Sequence, residues 1–194
     1  HRLRAMAGYS YFYVVNSGMS ASNQDFTSDG LGYNNLGAGE WASKEGQICL
    51  GSYKNDSKLI SFYGRLNYDW KERYLLSVSL RHEGSSKFGQ NHKWGNFPAV
   101  SLRWNVSKEP WFQDNVKWMS MLSIRPGWGI VGKQPGAEYL YFSSYSNGKG
   151  YLNYGSTNLD NIQLKKLKWE QKKTYNLGFD FGFFDEKING NLEI

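Results

Sequence analysis

The sequence has no run of about 18 or more consecutive apolar residues, and its mean hydropathy is −0.64. A transmembrane helix is therefore excluded, because a helix needs about 20 apolar residues in succession to cross a bilayer. A transmembrane β-barrel is not excluded. Its strands place apolar side chains only at every second position, so an average over a sequence window does not reveal them.

Cysteine and histidine are scarce. Cys49 is the single cysteine, so no disulfide bond can form within the chain and no cysteine cluster can bind a metal. His1, His82 and His92 are the only histidines, and they are too scattered to suggest a metal site. No serine and histidine are arranged as in a catalytic triad. We therefore expect neither an enzyme nor a protein that carries a cofactor.

Proline is also rare, with 4 residues, whereas the chain contains 22 glycines and is 17% aromatic. Aromatic side chains fit the pleated surface of a sheet and glycines mark sharp turns, so this composition favours strands over helices. The net charge of +6 and the pI of about 9.2 would suit a nucleic-acid-binding protein. The basic residues are dispersed, however, except between Lys165 and Lys173, so we expect no nucleic-acid partner.

Alternation of apolar and polar residues predicts seven strands. The predicted strands cover about residues 2–14 and 58–70, a segment from residue 74 onward, residues 97–106, 119–131 and 169–183, and a segment from residue 188 onward. This pattern predicts an all-β, antiparallel fold. A water-facing antiparallel sheet alternates as well, so the pattern alone does not distinguish a membrane wall from a soluble sheet.

Every second connector between the predicted strands is the longer one. The connectors near residues 15–57, 84–96 and 132–168 are long or medium, whereas those at 71–73, 107–118 and 184–187 are shorter. Outer-membrane barrels have this asymmetry, with tight periplasmic turns and long extracellular loops. Structureless loops of about 35 residues are uncommon in compact soluble domains. The connectors therefore favour a membrane barrel.

Aromatic residues lie close to the predicted strand ends. At the ends with short connectors they are Trp70, Tyr74, Trp111, Phe112, Trp118, Phe183 and Phe184, and at the opposite ends Phe62, Trp94, Phe97, Trp128 and Trp169. Aromatic rings settle at the boundary between lipid tails and water, where they form two girdles around a barrel. The alternative is that these rings pack in a soluble core or against turns.

The two faces of the predicted strands differ in polarity. The residues expected to face a lumen are Arg65, Asn67, Asp69, Arg81, Arg103, Asn176 and Asp180. The residues expected to face lipid are Leu66, Leu76, Val78, Leu102, Trp104, Leu177, Phe179 and Phe181. The three arginines either form a basic ladder that docks a plug or guides a ligand, or pair with Asp69 and other carboxylates of the wall. Gly178 and Gly182 either leave room for a plug or mark a bulge.

The long connectors are rich in aromatic residues and lysine. The candidates for contact with a ligand or partner are Trp41, Tyr139, Tyr141, Tyr145, Tyr151 and Tyr154, whose rings can stack on sugars or on apolar peptide side chains. Packing of the loops on one another is the alternative. Five lysines between residues 165 and 173 either contact the phosphates of lipopolysaccharide or form a solvated rim.

Several motifs resemble those of SusC/RagA-type TonB-linked outer-membrane proteins. They are GRLNYDWKERYLL at 64–76, LRHEGSSKFG at 80–89, WGNFPAVS at 94–101, IRPGWGIVGKQ at 124–134, and WE at 169–170 followed by TYNLGFDFGFF at 174–184. The motifs occur in the order and spacing of that family. Two positions depart from its pattern. Lys133 stands where asparagine is usual, and Pro126 falls within a predicted strand, which implies an edge strand or a bulge.

The resemblance implies that the seven strands are part of a single-chain barrel of about 22 strands with a plug inside. Residues 1–194 would then be a partial barrel domain without the plug, the signal peptide or the TonB box. It also implies an integral protein of the bacterial outer membrane that imports bulky nutrients, either oligosaccharides or peptides. A SusD-like surface lipoprotein would act as the lid, TonB would supply the energy, and two transporters can pair.

Two other functions fit the pattern of strands. One is a barrel without a transport role, in secretion or as a scaffold, and the other is a soluble β-rich module that binds glycans. The apolar face would contact lipid in either kind of barrel but would lie in a packed core in the soluble module.

Overall fold

The computed structural model describes residues 1–30, 32–40, 49–151, 154–184 and 187–194. The chain divides into two compact units, one formed by residues 1–12 and 58–194 and the other by residues 13–57. In the described residues the fold is all-β, as predicted, with nine strands and a single short α-helix. No helix within these ranges has the length and hydropathy needed to cross a membrane.

The strands are β1 (Arg2–Ser22), β2 (Cys49–Trp70), β3 (Tyr74–Ser85), β4 (Trp94–Asn105), β5 (Met119–Lys133), β6 (Ser144–Tyr151), β7 (Tyr154–Asn161), β8 (Glu170–Phe183) and β9 (Ile188–Glu193). Helix α1 spans Pro110–Asn115, and short 3-10 turns occupy Gly32–Asn34, Leu36–Ala38 and Val106–Lys108. Seven of the strands form one sheet in the order β1-β2-β3-β4-β5-β8-β9. These seven are the predicted strands.

Strands β6 and β7 follow β5 and precede β8 along the chain. They form a separate two-stranded antiparallel sheet. Both strands fall within the connector predicted for residues 132–168, so the prediction of a loop was wrong here. The sequences SYSNGKGY and YGSTNLDN are dominated by glycine, asparagine and serine. Those residues favour turns, and they hide the apolar alternation by which a strand is recognised.

Strands β1 and β2 are longer than predicted, with 21 and 22 residues. A tilted strand crosses a bilayer in about 9–11 residues, so only part of each can lie in a hydrocarbon layer. In the unit of residues 13–57 the ring of Tyr53 lies where a side chain at Gly18 would be. Asn23 Nδ2 donates to the carbonyl oxygens of Leu36 and Gly39, both at 2.9 Å, and orders the turns of this unit.

Pro126 lies in β5, which is a central strand. On one side, β5 pairs with β8. On the other side, the ladder between β4 and β5 is interrupted between the pairs Ser101–Gly127 and Trp104–Ile124, without a change of register. The expectation of an edge strand or a bulge was therefore wrong. Proline has no N–H to donate, and β5 tolerates that loss by leaving one stretch of the ladder open.

The buried hydrophobic cluster lies at the end of the sheet that carries the longer connectors. Phe88, Phe97 and Trp169 form it, with Leu59, Ile130 and Leu167 packed around them. The ring centroids of Phe88 and Phe97 lie 4.9 and 5.1 Å from that of Trp169. Phe97 and Trp169 were predicted to lie in an aromatic girdle, and so was Phe112. All three are buried, so that prediction was wrong for them.

The ring of Phe97 occupies the space beside Gly132. A Cβ atom at this glycine would lie 2.1 Å from Phe97 Cζ, which is far inside contact distance. Because Phe97 is held by Trp169 on another side, it has no room to move away without disturbing the cluster. A glycine at position 132 is therefore required by packing.

We expect Gly132→Ala to lower the free energy of unfolding of the full-length protein by about 1–3 kcal/mol, since it overpacks this cluster. The measurement is urea-induced unfolding in detergent micelles. Gly136→Ala is the matched control, because no atom lies within 4 Å of a Cβ at that position. Equal effects of the two substitutions would contradict the packing argument.

Candidate functional site: the polar face of the sheet

The register of the strands assigns each side chain to one face of the seven-stranded sheet. Asn67, Ser77, Ser101, Gly127 and Asn176 follow one another in a row across β2, β3, β4, β5 and β8. Paired residues project to the same face of a sheet, and successive residues to opposite faces. This row therefore defines one face, which we call the polar face, and the other is the apolar face.

The predicted partition of the residues is reproduced by the register. The seven residues expected at a lumen share the polar face: Arg65, Asn67, Asp69, Arg81, Arg103, Asn176 and Asp180. The eight residues expected at lipid share the apolar face: Leu66, Leu76, Val78, Leu102, Trp104, Leu177, Phe179 and Phe181. Which face meets a lumen and which meets lipid stays a prediction.

Asp180 is the centre of one polar network. Its carboxylate accepts hydrogen bonds from Arg125 Nη2 at 2.8 Å and from Ser123 Oγ at 2.9 Å, and it forms an ion pair with Arg103 Nη2 at 3.3 Å. Arg125 also pairs with Glu193, at 3.1 Å. Two guanidinium groups thus share two carboxylates, and the network spans β4, β5, β8 and β9.

A second network lies on β2 and β3, nearer the longer connectors. Arg81 Nη2 donates to Glu83 Oε1 at 2.8 Å and to Ser61 Oγ at 3.0 Å. Ser61 Oγ in turn donates to Glu83 Oε1 at 2.7 Å. Ser61 and Glu83 are buried, so both neighbours compensate a carboxylate that is largely shielded from water.

The predicted arginine ladder is therefore not a continuous basic stripe. Arg81 and Arg103 are neutralised, as the alternative interpretation expected, but Asp69 is not their partner. Asp69 Oδ1 instead accepts the backbone N–H of Glu72 at 2.7 Å and caps the turn that follows β2. Arg65 has no ion pair with any residue that the structure describes.

A recess of about 720 Å³ occupies the polar face in the half of the sheet nearer the short connectors. Its lining includes four arginines and two carboxylates: Arg2, Arg4, Arg103, Arg125, Asp69 and Glu193. Asn67 and Asn176 line it as well, and a smaller recess of about 330 Å³ beside Arg65 continues along the same face. Guanidinium and amide groups are thus concentrated where a second molecule or segment could lie against the sheet.

Arg125, Ser61, Ser123 and Glu83 take part in these networks but were not among the predicted site residues. Arg125 stands between Ile124 and Pro126, so alternation alone would have placed it on the polar face. Its partners could not be read from the sequence, because Asp180 and Glu193 are 55 and 68 residues away. Only the register brings them together.

The two glycines of β8 have different surroundings. A Cβ at Gly178 would lie 3.1 Å from Arg125 Nη2, so this glycine leaves room for the arginine rather than for another segment. Gly182 pairs with Met121, where the ladder between β5 and β8 shifts register between Met119 and Met121. A bulge is therefore present opposite Gly182, as one of the two interpretations expected.

The connectors at the opposite end are tied together by Lys87. Its ammonium group pairs with Glu138 at 3.2 Å and donates to the carbonyl oxygens of Pro135 at 3.3 Å and Gly136 at 3.2 Å. Ser85 Oγ donates to Gln134 Oε1 at 2.8 Å. These contacts join the connector after β3 to the connector after β5.

The aromatic residues predicted as loop candidates do not form a single cluster. Tyr139 is exposed, and Tyr141 packs on Phe142 at a centroid distance of 4.4 Å. Tyr145 is exposed on β6, where it pairs with Leu159. The backbones of Tyr151 and Tyr154 pair with each other at the tip of the β6–β7 hairpin, but their side chains lie outside the described part of the chain. Trp41 lies outside the described residues altogether.

The lysine-rich segment precedes and begins β8. Lys165, Lys166, Lys168, Lys172 and Lys173 are all exposed. None of them forms an ion pair with a carboxylate among the residues that the structure describes. Lys133 pairs with Glu170 at 3.8 Å beside them, where both side chains are exposed.

We expect Asp180→Asn to lower the free energy of unfolding of the full-length protein by about 1–2 kcal/mol, because Arg103 and Arg125 both lose a charged partner. Glu170→Gln is the matched control, since an exposed ion pair contributes little. Unfolding in urea in detergent micelles gives both values. An Asp180→Asn protein as stable as the control would show that the network does not stabilise the sheet.

Comparison with known proteins identifies the family. A family model described as TonB dependent receptor-like, beta-barrel, matches residues 3–194. The TonB-dependent receptor SusC of Bacteroides thetaiotaomicron is 36% identical over 149 residues, which cover 73% of this chain and 15% of that protein. The TonB-dependent receptor P3 of Formosa agariphila is 30% identical over 193 residues, covering 97% of this chain and 18% of that protein.

Solved structures share the fold. The RagAB peptide transporter matches with a TM-score of 0.83 and 21% identity, over 98% of this chain and 21% of that chain. The RagAB peptide importer in its open-open state matches with a TM-score of 0.79 and 22% identity, over 98% and 20%. The chain thus spans about a fifth or less of the length of these proteins. It belongs to the family of TonB-dependent receptor-like β-barrels, as its resemblance to SusC/RagA-type proteins predicted.

Proposed function

We propose that this chain is part of the wall of an outer-membrane barrel that imports bulky nutrients, oligosaccharides or peptides, with energy from TonB. The observation that carries the proposal is the uncovered apolar face of the sheet. Its residues include Leu66, which is 51% exposed, and Tyr175, which is 74% exposed. A soluble protein would bury such a face, because apolar surface in water is unfavourable by about 25 cal/mol per Å². Lipid tails remove that cost.

The aromatic residues at both ends of the apolar face support the same function. Trp70, Tyr74 and Trp104 stack in sequence near the short connectors, with centroid distances of 5.4 and 6.2 Å. Phe62 and Trp94 stack near the longer connectors, 6.4 Å apart. Two aromatic rows with aliphatic residues between them are typical of a barrel wall. In this arrangement the short connectors face the periplasm and the longer ones the outside.

The polar face would then line the lumen, and the recess beside Arg103 and Arg125 would face the plug. The plug and the segment that binds TonB would come from a part of the protein outside residues 1–194. The longer connectors would contact a SusD-like lipoprotein as lid. Exposed Tyr145, Leu159 and Ile162 on and after the β6–β7 hairpin provide an apolar surface for that contact. Pairing of two transporters is part of the same proposal.

Neither of the other functions considered from the sequence is favoured by a specific observation. A barrel without a transport role would have the same wall. A soluble glycan-binding module would need a second layer against the apolar face, and the described residues provide none.

Labelling of single cysteines in the full-length receptor tests the assignment of the faces. In a Cys49→Ser background, we expect cysteine at Leu76 or Val78 to react with a thiol reagent dissolved in lipid, and cysteine at Ser77 or Ser79 with a water-soluble one. The expectation follows from the opposite orientation of neighbouring residues in β3. Each apolar-face position is the control for the polar-face position that follows it in β3. Equal labelling of all four by the water-soluble reagent would rule out the membrane wall.

The five exposed lysines of residues 165–173 would contact the phosphates of lipopolysaccharide, to which ammonium groups are attracted. We expect replacement of all five by glutamine to reduce the lipopolysaccharide that co-purifies with the receptor by at least about twofold. Lys71→Gln with Lys117→Gln, at the opposite end, is the control and should leave the amount unchanged. If the amount of co-purified lipopolysaccharide did not change in the five-lysine variant, these residues would form only a solvated rim.

A further inference from the structure

An exposed tyrosine and an exposed arginine of β2, Tyr63 and Arg65, stand next to each other on the polar face. Because they are two residues apart in a strand, their side chains project to the same side of the sheet, about 7 Å from one another. Arg65 forms no hydrogen bond or ion pair with any residue that the structure describes. The polar face thus presents an aromatic ring together with an unpaired guanidinium group.

The ring of Tyr63 lies across the neighbouring strand β1 at Gly8. A Cβ atom at Gly8 would lie 2.3 Å from Tyr63 Cζ and 2.6 Å from Cε2, so the ring fills the space that a side chain would take. The side of the ring that faces away from Gly8 stays accessible, and Tyr63 is 37% exposed. The C–H groups of a sugar ring pack well against an aromatic surface of this kind.

The recess of about 330 Å³ beside Arg65 exists because the residues next to the arginine are small. In the register, Ser79, Ala99 and Gly129 follow Arg65 across β3, β4 and β5. None of these side chains is long enough to cover the guanidinium group. Pockets that bind small molecules begin at about 300 Å³, so the recess is large enough for a sugar unit.

Polar side chains around this recess are available to a ligand. The following residues line it and form no side-chain hydrogen bond within the described ranges: Ser77, Ser79, Ser101, Thr174 and Asn176. Their hydroxyl and amide groups can both donate and accept hydrogen bonds. Such groups are complementary to the hydroxyl groups of a sugar, each of which also donates and accepts.

The charge of this part of the polar face is positive. Glu83 of β3 is bound by Arg81 and Ser61, and Asp69 of β2 caps a turn, so neither carboxylate neutralises Arg65. Arg4 lines the adjoining larger recess and has no ion pair with a described residue either. An anionic group would therefore be attracted to this region.

We propose that Tyr63, Arg65 and the recess beside them form a cargo subsite, and that the cargo is an acidic oligosaccharide whose sugar rings carry carboxylate groups. The proposal rests on the proposed function, in which the polar face lines the lumen. A sugar ring would pack on Tyr63, and its carboxylate would accept two parallel hydrogen bonds from the guanidinium group of Arg65. An acidic peptide would satisfy Arg65, but it has no ring of hydroxyl groups to fill the recess.

The position of the subsite fits cargo that enters from outside. Ser79 and Ala99 lie two residues nearer the longer connectors than Ser77 and Ser101 do. The larger recess, which the proposed function assigns to the plug, lies on the other side, toward the short connectors. Cargo that enters past the longer connectors would therefore reach Tyr63 and Arg65 before it reaches the plug.

Calorimetric titration of the full-length receptor in detergent micelles tests the cargo. The acidic probes are hexamers of galacturonate, glucuronate and mannuronate, each titrated separately, and the comparison probes are a neutral glucose hexamer and hexaglutamate. We expect at least one hexauronate to bind at least about tenfold more tightly than both comparison probes. Equal or tighter binding of hexaglutamate would overturn the choice of a sugar, and no binding of any hexauronate would overturn the proposal.

Substitutions at Tyr63 and Arg65 test the subsite itself. We expect Arg65→Gln to weaken binding of that hexauronate at least about tenfold, because the carboxylate loses its charged partner. Tyr63→Ala should weaken it about threefold or more and Tyr63→Phe should restore it, since the ring makes the contact. Lys117→Gln is the matched control, because it removes one exposed charge at the short-connector end. Equal effects of Arg65→Gln and Lys117→Gln would show only general attraction of charge and overturn the subsite.

Filling the recess gives a test that leaves Arg65 in place. A Cβ atom at Gly127 would lie 3.9 Å from the carbonyl oxygen of Asn176, which is ordinary contact, so the sheet accepts a side chain there. Gly127 lines the recess, and we expect Gly127→Leu to weaken hexauronate binding at least about tenfold by occupying it. Gly136→Leu is the control, since no atom lies within 4 Å of a Cβ at that glycine. Unchanged binding by Gly127→Leu would show that the cargo does not enter the recess.

Cysteine labelling at Leu76 and Ser77 in the same receptor separates this inference from the proposed function. If Leu76 reacts with the lipid-soluble reagent and Ser77 with the water-soluble one, but no hexauronate binds, the barrel wall is supported and only the acidic cargo is rejected. If both positions react with the water-soluble reagent, the proposed function fails and the subsite fails with it.

Discussion

The register between neighbouring strands is the constraint on which the rest of the structure depends. Strands β2 and β3 pair from Leu59–Ser85 to Trp70–Tyr74 without a shift, and β3 and β4 continue in the same way. A slip of one residue would move Arg65 to the apolar face and Leu66 to the polar face. Such a slip would put the charge of Arg65 against lipid in the proposed barrel. The polarity of both faces therefore selects one register, and that register in turn brings distant charges together.

The ion pairs of the polar face connect strands that are not adjacent in the sheet, whereas a backbone hydrogen bond connects only neighbouring strands. Arg103 of β4 pairs with Asp180 of β8 across the intervening strand β5, and Arg125 of β5 pairs with Glu193 of β9 across β8. Gly178 makes the second contact possible, because Arg125 lies over it. Each guanidinium thus spans two inter-strand spacings. The network links four consecutive strands of the sheet through side chains as well as through the ladder.

The sequence is sufficient to predict the parts of this structure that depend on alternation. The seven strands, the two faces and the family all follow from local patterns such as 64–76. It is not sufficient where the outcome depends on distant partners. Phe97 lies in β4 among residues that alternate as in a barrel wall, but Phe88 and Trp169 bury it. Asp69 was predicted to pair with the arginines of the polar face, but it caps a turn instead. The β6–β7 hairpin lacks apolar alternation, so only its backbone pairing reveals it.

Aromatic residues at the two ends of the sheet differ in burial, and connector length explains the difference. At one end, connectors of several residues supply Phe88, Leu167 and Trp169, which cover Phe97 and form the buried cluster. At the other end, the turn after β2 has three residues and cannot cover Trp70 or Tyr74. Those rings stack on one another and remain partly exposed. The connector after β4 is long enough to bury them, but it binds their edge through Glu109 and adds exposed Trp111 and Trp118. A connector that increases the aromatic surface at an uncovered face needs an environment that solvates indole, and in the proposed barrel the lipid headgroups provide it.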